Sequence, residues 1–223
     1  MIIRLGPIFL VIFMEKEKIK KFADFSEEKK LWQKGYEFVV GLDEVGRGPL
    51  AGPVVAAAVC FKEKNLPPFV ENIRDSKKIS QKQREGWYKF LAEQPDIKWG
   101  IGLVSEKIID RINILEATKL AMKRAIEALK IEPDYLLLDG NFLLENLSIS
   151  QKAVVRGDEK IISCAAASIL AKVTRDRLME KYDAKYPEYG FKKHKGYGTK
   201  EHLTAIKKHG ACLIHRTSFS PFS

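Results

Sequence analysis

Apolar residues fall into short continuous runs along the first two thirds of the chain, and these runs predict buried β-strands. The first two runs are YEFVVGL over 36–42 and GPVVAAAVCF over 52–61. A third run, IKWGIGLV, covers 97–104, and the shorter runs YLLLD and KAVVR cover 135–139 and 152–156. Because neither face of such a run is polar, we expect a sheet that is covered on both sides.

Helical patterns alternate with these runs and dominate the last part of the chain. Ser80 and Gln83 form a capping-box pair at the start of one helix. Asn113 is expected to cap a long helix that ends before Pro133. Residues 160–182 predict a further helix, with a patch of small residues that permits close packing. The order of elements predicts an α/β fold with a helical C-terminal part.

The length of 223 residues suits one main domain with small additions. We divide the chain into an N-terminal extension over 1–35, a main domain over 36–182 and a helical and loop extension over 183–223. Residues 1–14 are expected to be dispensable, with Met14 as an alternative start. In the last segment, Thr199 is expected to cap a helix.

The chain is basic, with a formal net charge of +10. Such a balance favours a polyanionic partner, and nucleic acid is the first candidate. The three cysteines are widely spaced, so we expect neither a disulfide framework nor a zinc site, and we expect a reducing compartment, the cytoplasm. The apolar tract at 8–14 is too short to cross a bilayer, so no membrane association is expected.

Acidic residues stand at the ends of three predicted strands. Asp43 and Glu44 follow the first strand, Asp139 ends YLLLD, and Asp158 follows KAVVRG. Sites in α/β sheets form where strand ends meet, and carboxylates that converge there need a cation to remain ionised together. Magnesium suits such oxygen ligands. A polar turn is the alternative interpretation of Asp43 and Glu44.

The adjacency of Asp43 and Glu44 raises a geometric difficulty. Neighbouring side chains on a regular strand point to opposite faces, so the two carboxylates cannot both reach one metal from an undistorted strand. We expect either a bend near Gly46 and Gly48 or a role for Glu44 through its carbonyl or a water molecule.

Six segments resemble bacterial ribonuclease HII in their order and spacing. They are GLDEVGRGPLAGPVVAAAV at 41–59, DSKKIS at 75–80, LLLDG at 136–140, GDEK at 157–160, AAASILAKVTRDRLM at 165–179 and HKGYGTKEH at 194–202. The resemblance covers about residues 36–219, and its first and last motifs are the most specific. About 35 residues precede the first strand, too few for the N-terminal substrate-binding domain of the sister family, ribonuclease HIII.

The resemblance implies a ribonuclease H-like fold, with a central five-stranded mixed sheet flanked by helices and a C-terminal helical extension. It implies hydrolysis of the RNA strand of RNA/DNA hybrids and nicking on the 5′ side of single ribonucleotides in duplex DNA, giving 5′-phosphate and 3′-hydroxyl ends. These reactions serve RNA primer removal and ribonucleotide removal, hence DNA replication and repair. The family's four acids fall on Asp43, Glu44, Asp139 and Asp158, which would be both catalytic residues and ligands of two Mg²⁺ or Mn²⁺ ions. We expect a monomer without a small-molecule cofactor.

Two glycine-containing loops are the main candidates for substrate recognition. The resemblance implies that Gly46, Arg47 and Gly48 read the ribose 2′-hydroxyl, the group that separates RNA from DNA. It implies that Tyr197 packs against the deoxyribose across the junction. A glycine-rich turn and a core position are the respective structural alternatives.

Further substrate contacts are predicted on one helix face and in two loops. Ser168, Lys172 and Arg175 share a face and are candidates for phosphate contact. The alternative is a solvated face on which Lys172 pairs with Asp176. The weaker candidates for contacts with the substrate backbone are Ser76, Lys77 and Asn113.

Two other functions compete with this hypothesis. A non-catalytic nucleic-acid-binding module needs the basic surface but not four acids at strand ends. A different nuclease of the same fold, such as a junction resolvase, should ignore a ribonucleotide, and the GRG loop and Tyr197 argue against it.

Overall fold

The structure is a computed structural model that describes residues 23–67, 70, 73 and 79–222. Residues 1–14, Ser76 and Lys77 lie outside the described residues, so the expectations about them stay predictions. In the described part of the chain, no helix combines the length and apolar character that crossing a membrane requires.

The described chain forms five strands and six α-helices. The strands are β1 (Val39–Val45), β2 (Val54–Cys60), β3 (Lys98–Val104), β4 (Tyr135–Asp139) and β5 (Ser150–Val154). The helices are α1 (Ser26–Trp32), α2 (Gln81–Glu93), α3 (Glu106–Ala128), α4 (Ile162–Lys185), α5 (Phe191–His194) and α6 (Lys200–His209).

The strands form one mixed sheet in the order β3-β2-β1-β4-β5. The first three pair antiparallel, and β1, β4 and β5 pair parallel. The central β1 therefore ends beside the end of β4, its parallel neighbour. This arrangement confirms the predicted five-stranded mixed sheet.

Helices cover both faces of the sheet, as the continuous apolar runs predict. Val55, Ala57 and Val59 of β2 pack in a core with α1, α2 and α4, whereas Val54 and Ala56 pack in a second core with α3. This alternation is the normal period of a strand, and here both sides of it are apolar.

Close approach of α4 to the sheet depends on small residues in both elements. A Cβ at Gly41 would overlap the backbone of Ser163, and Ala165, Ala166 and Ala167 are fully buried. Glu28 of α1 fixes the start of α4, because its carboxylate accepts hydrogen bonds from the Ser163 amide (2.9 Å) and hydroxyl (2.8 Å). The described part of the N-terminal extension therefore belongs to the same packed core.

Two differences from the sequence-based boundaries concern candidate site residues. The first strand extends to Val45 and includes both acids, because β2 pairs with it along that whole length. The long helix begins at Glu106, and Asn113 interrupts it with a φ of +65°. Asn113 is nevertheless the predicted cap of the second segment, since its Oδ1 accepts from the amides of Leu115 (2.9 Å) and Glu116 (3.1 Å).

The C-terminal extension packs against the end of α4. A small core of Ala51, Met179, Tyr189, Phe191 and Ile214 joins it to the loop that follows β1. The Thr199 side chain caps α6 by accepting from the His202 amide, and this confirms the predicted cap. The loop that carries Tyr197 is thereby fixed between two anchored segments.

Candidate active site

Three carboxylates meet at the ends of β1, β4 and β5. Asp43 lies in β1, Asp139 ends β4, and Asp158 lies in a short 3₁₀ turn after β5. A carboxylate oxygen from each lies within 4.8 Å of the other two. The Gly157 amide donates to Asp139 Oδ1 at 2.7 Å, which holds the turn carrying Asp158 against β4.

The electrostatics of this cluster favour a bound cation. Burial raises the pKa of Asp43 well above its usual range, the charges of Glu44 and Asp139 raise it further, and a hydrogen bond from Ser168 lowers it. Carboxylate oxygens that converge in this way suit a hard divalent ion such as Mg²⁺ or Mn²⁺. The three aspartates therefore fit the predicted metal site.

Glu44 lies apart from the three aspartates. Val40 and Leu42 pack on the α3 side of the sheet, so strand alternation places Glu44 on that side and Asp43 on the α4 side. The expected bend near Gly46 and Gly48 is present, but it follows both acids and does not turn Glu44 towards the aspartates, because Asp43 and Glu44 pair regularly with β2. The carboxylate of Glu44 accepts from Arg47 Nη1 at 3.3 Å instead. Its part in metal binding stays a prediction.

The Gly46-Arg47-Gly48 loop begins where β1 ends. Gly46 has a φ of +96°, a conformation that favours glycine, and a Cβ there would overlap the Arg175 side chain. The Arg47 guanidinium lies between Glu44 and the Phe142 ring, 6.0 Å from the ring centroid. These two contacts orient the Arg47 side chain.

Tyr197 lies next to this loop and faces solvent. Its side chain is 45% exposed, and a Cβ at Gly48 would lie 3.7 Å from its ring. The Leu50 amide donates to the Gly196 carbonyl at 2.8 Å, so the two loops are also joined through their backbones. The structure thus brings together the two loops that the sequence singled out separately.

The three residues predicted on one face of α4 have different environments. Ser168 is buried and donates to Asp43. Lys172 pairs with Asp176 at 2.8 Å, the alternative that the sequence left open. Arg175 is fully buried and donates to the carbonyls of three residues, Ala51, Pro53 and Lys195.

The predicted phosphate contact at Arg175 is therefore wrong for the described conformation, because its donors are turned into the protein. Helical spacing places residues on a common face, but it does not reveal that a loop covers that face. Asn113 is exposed and acts as a helix cap, and its predicted substrate contact stays a prediction.

Sequence reasoning missed Arg216, which contacts the GRG loop from the C-terminal segment. Its guanidinium is fully buried and donates to the carbonyls of Gly46, Arg47 and Gly52. Arg216 lies 170 positions from Gly46 along the chain, so no local sequence pattern connects the two residues.

Three buried histidines support the loop that carries Tyr197. His215 Nδ1 lies 2.8 Å from the Cys212 amide nitrogen and 3.3 Å from the Cys212 carbonyl oxygen. Because the contact with the amide is the shorter one, Nδ1 is the acceptor of that hydrogen bond. His215 Nε2 then carries the proton shared with His202 Nε2 at 3.0 Å, and His202 Nδ1 donates to the Tyr197 carbonyl at 2.9 Å. The rings of His194 and His202 stack at 4.4 Å. Every link of this chain requires neutral imidazoles.

We expect the free energy of unfolding to fall as the pH falls from about 6.5 to about 4, by on the order of 2 kcal/mol from His202. Burial lowers the pKa of His202 to about 4. The unfolded chain therefore binds a proton first, and the contribution of the neutral ring is lost on acidification. Urea unfolding at several pH values measures this slope.

His202→Asn is the matched variant, because its amide nitrogen can still donate to the Tyr197 carbonyl. We expect a less stable protein at pH 7 with a shallower pH dependence. Glu28, whose pKa burial raises to about 7, acts in the opposite direction but equally in both proteins. Identical slopes in the two proteins would contradict the interpretation.

Comparisons with known proteins agree over most of the chain. The family model described as Ribonuclease HII matches residues 40–221. A ribonuclease HII of Caldicellulosiruptor bescii is 52% identical over 195 residues, which make up 87% of this chain and 92% of that protein. Another, from Acetivibrio thermocellus, is 50% identical over 213 residues, 92% of this chain and 81% of that protein.

A solved structure is also similar. The crystal structure of the ribonuclease H2 from Pyrococcus horikoshii OT3 superposes with a TM-score of 0.67 at 30% identity. The superposition covers 83% of this chain and 95% of that one. The family model's range of residues 40–221 includes the acidic cluster and both adjoining loops.

Proposed function

The chain belongs to the ribonuclease HII family, and from that premise we propose that it nicks duplex DNA on the 5′ side of a single embedded ribonucleotide. Family membership makes it a ribonuclease H, a hydrolase that acts on RNA/DNA substrates. The observation that supports the finer proposal is the position of the GRG loop and Tyr197, side by side at the edge of the acidic cluster.

We propose that the acids hold two divalent ions, Mg²⁺ or Mn²⁺. Asp43, Asp139 and Asp158 would supply the ligands, and Glu44 would assist from the other side of β1. Such ions, when bound, activate water and stabilise the leaving oxygen of a phosphodiester.

The protein's own groups would hold these ligands in place. Ser168 donates to Asp43, and the Gly157 amide donates to Asp139 at 2.7 Å, so neither carboxylate is free to rotate away. Preorganised ligands lower the cost of assembling a reactive arrangement. The products would carry 5′-phosphate and 3′-hydroxyl ends.

Recognition would use one loop for each sugar at the junction. The GRG loop lies beside Asp43 and would contact the ribose, whereas Tyr197 would pack against the neighbouring deoxyribose. The two loops adjoin at Gly48, so the two sugars that they contact would be neighbours. The function would be the removal of ribonucleotides and RNA primers from DNA.

The basic C-terminal segment would supply general affinity for phosphates. Exposed lysines cluster there, namely Lys192, Lys200, Lys207 and Lys208. Contacts of this kind release counterions, so binding should weaken steeply with salt.

We expect a DNA duplex with one ribonucleotide to be nicked in Mg²⁺, leaving the ribonucleotide at the 5′ end of the downstream fragment. An otherwise identical all-deoxy duplex is the control and should remain intact, and Ca²⁺ should support binding without cleavage. Denaturing gels of both labelled strands give the position of the cut. Equal cleavage of the two duplexes would overturn the proposal and indicate another nuclease of this fold.

A further inference from the structure

Arg216 is a buried cation whose guanidinium donates hydrogen bonds to backbone carbonyls. Its side chain has no exposed surface, and no ion pair to it occurs among the described residues. Burial, and after it the charge of the nearby Arg175, lower the pKa of its guanidinium to about 9. Burying an arginine in this way is costly unless its donors are satisfied. The identity of its acceptors therefore indicates its role.

All of those acceptors lie in the segment 46–53. Nη1 donates to the Arg47 carbonyl at 2.9 Å, and Nη2 donates to the carbonyls of Gly46 (2.5 Å) and Gly52 (2.8 Å). Nε adds a second bond to Gly52 at 3.0 Å, and the Arg216 amide donates to the Leu50 carbonyl at 2.8 Å. One residue thus holds both ends of the loop.

Arg175 completes this arrangement from the side of α4. It donates to the Pro53 carbonyl at 2.9 Å and to the Ala51 carbonyl at 3.1 Å. Together the two arginine residues turn six carbonyls of this segment towards the protein, those of Gly46, Arg47, Leu50, Ala51, Gly52 and Pro53.

The direction of these carbonyls determines the direction of the amides. In a trans peptide, the carbonyl of one residue and the N–H of the next point to opposite sides. Because the Gly46 and Arg47 carbonyls face Arg216, the amides of Arg47 and Gly48 face away from it. Neither amide has a hydrogen-bond partner in the part of the chain that the structure describes.

We propose that Arg216 is a positioning residue for ribose discrimination, which holds the GRG loop so that the amides of Arg47 and Gly48 are presented to the 2′-hydroxyl. The proposal rests on the function proposed above and adds a residue distant in sequence from the loop. Arg216 does not itself touch the substrate, because it is buried behind the loop.

The test compares Arg216→Lys with the intact chain. Lysine keeps the positive charge, but its single ammonium group cannot replace the planar fork that reaches three carbonyls. In Ca²⁺, we measure affinity for a duplex with one ribonucleotide and for the matched all-deoxy duplex. We expect the ratio of the two affinities to fall by at least about tenfold, because a 2′-hydroxyl read by misplaced amides contributes less.

This ratio separates positioning from a loss of folded protein. Both affinities come from one preparation, so unfolded material changes the amplitude and not the ratio. Arg177→Lys is the control, since it makes the same replacement on α4 at a guanidinium that pairs with Glu85 and holds neither recognition loop. It should change the ratio by less than about threefold.

A second measurement does not require Arg216→Lys to fold. In the intact chain, amide exchange at Arg47 and Gly48 should slow by at least about tenfold with the ribonucleotide duplex relative to the all-deoxy duplex. Equal exchange in the two complexes overturns the inference, as does an unchanged affinity ratio in folded Arg216→Lys. If the intact chain itself ignores the ribonucleotide, the proposed function fails as well.

Discussion

Asp43→Asn is expected to abolish metal-dependent cleavage, with a loss of more than about a hundredfold. Asp43 is a buried acid at the centre of the sheet, in a cluster whose oxygens lie within 4.8 Å of one another. An amide keeps the shape but removes the charge and one of the oxygens that a divalent ion prefers. Since metal-assisted stabilisation is worth several kcal/mol and each 1.36 kcal/mol is tenfold in rate, a large loss follows. Nicking of the ribonucleotide duplex in Mg²⁺ measures it.

The same substitution should not unfold the protein. Burial and the charges of Glu44 and Asp139 raise the pKa of Asp43, which means that its ionised form is disfavoured in the metal-free fold. Removing that charge should leave the unfolding temperature in EDTA equal or higher. The intact chain should gain stability on addition of Mg²⁺, and Asp43→Asn should gain much less.

Asp134→Asn provides a matched control at the other end of the sheet. Asp134 directly precedes β4, and its carboxylate accepts hydrogen bonds from the amides of Glu37 (2.9 Å) and Phe38 (2.8 Å), which precede β1. It should cleave at nearly the intact rate. More than a few per cent of activity in Asp43→Asn, with that control normal, would remove Asp43 from the metal-ligand role.

The acidic cluster was accessible from the sequence because local patterns encode it. Apolar runs identify the strands, and each aspartate stands at the end of one, so the topology rule for strand ends places them together. No sequence pattern predicts the turn that brings Asp158 to the other two aspartates. The hydrogen bond from the Gly157 amide to Asp139 holds that turn in place. The separation of Glu44 from Asp43 was also accessible from the sequence, because neighbouring residues of a strand point to opposite faces.

The supports of the two recognition loops were not accessible in the same way. Arg175 was predicted at the surface, because the spacing along α4 shows only which residues share a face. The loop that buries it, at 51–53, comes from more than a hundred residues away. Arg216 and the histidine chain depend on contacts of the same kind, and only the folded chain brings them together.

The second large effect concerns Tyr197, whose replacement by alanine should reduce cleavage at a single ribonucleotide by about 10- to 100-fold. An exposed aromatic ring that packs on a nucleotide contributes about 1–3 kcal/mol, and each 1.36 kcal/mol corresponds to tenfold. The ring is 45% exposed beside Gly48, so it is accessible to a substrate held by the GRG loop. Values of kcat/KM on the ribonucleotide duplex measure the loss.

Tyr197→Phe separates the ring from the hydroxyl and should retain activity within about threefold. The backbone at this position is held independently of the side chain, because His202 donates to the Tyr197 carbonyl at 2.9 Å and the Tyr197 amide donates to the His194 carbonyl at 2.9 Å. Truncation to alanine should therefore leave the loop and the acidic cluster in place, and the stabilisation by Mg²⁺ should match that of the intact chain. A loss of that stabilisation would instead place Tyr197 among the supports of the metal site, and an intact cleavage rate would exclude it from recognition of the junction.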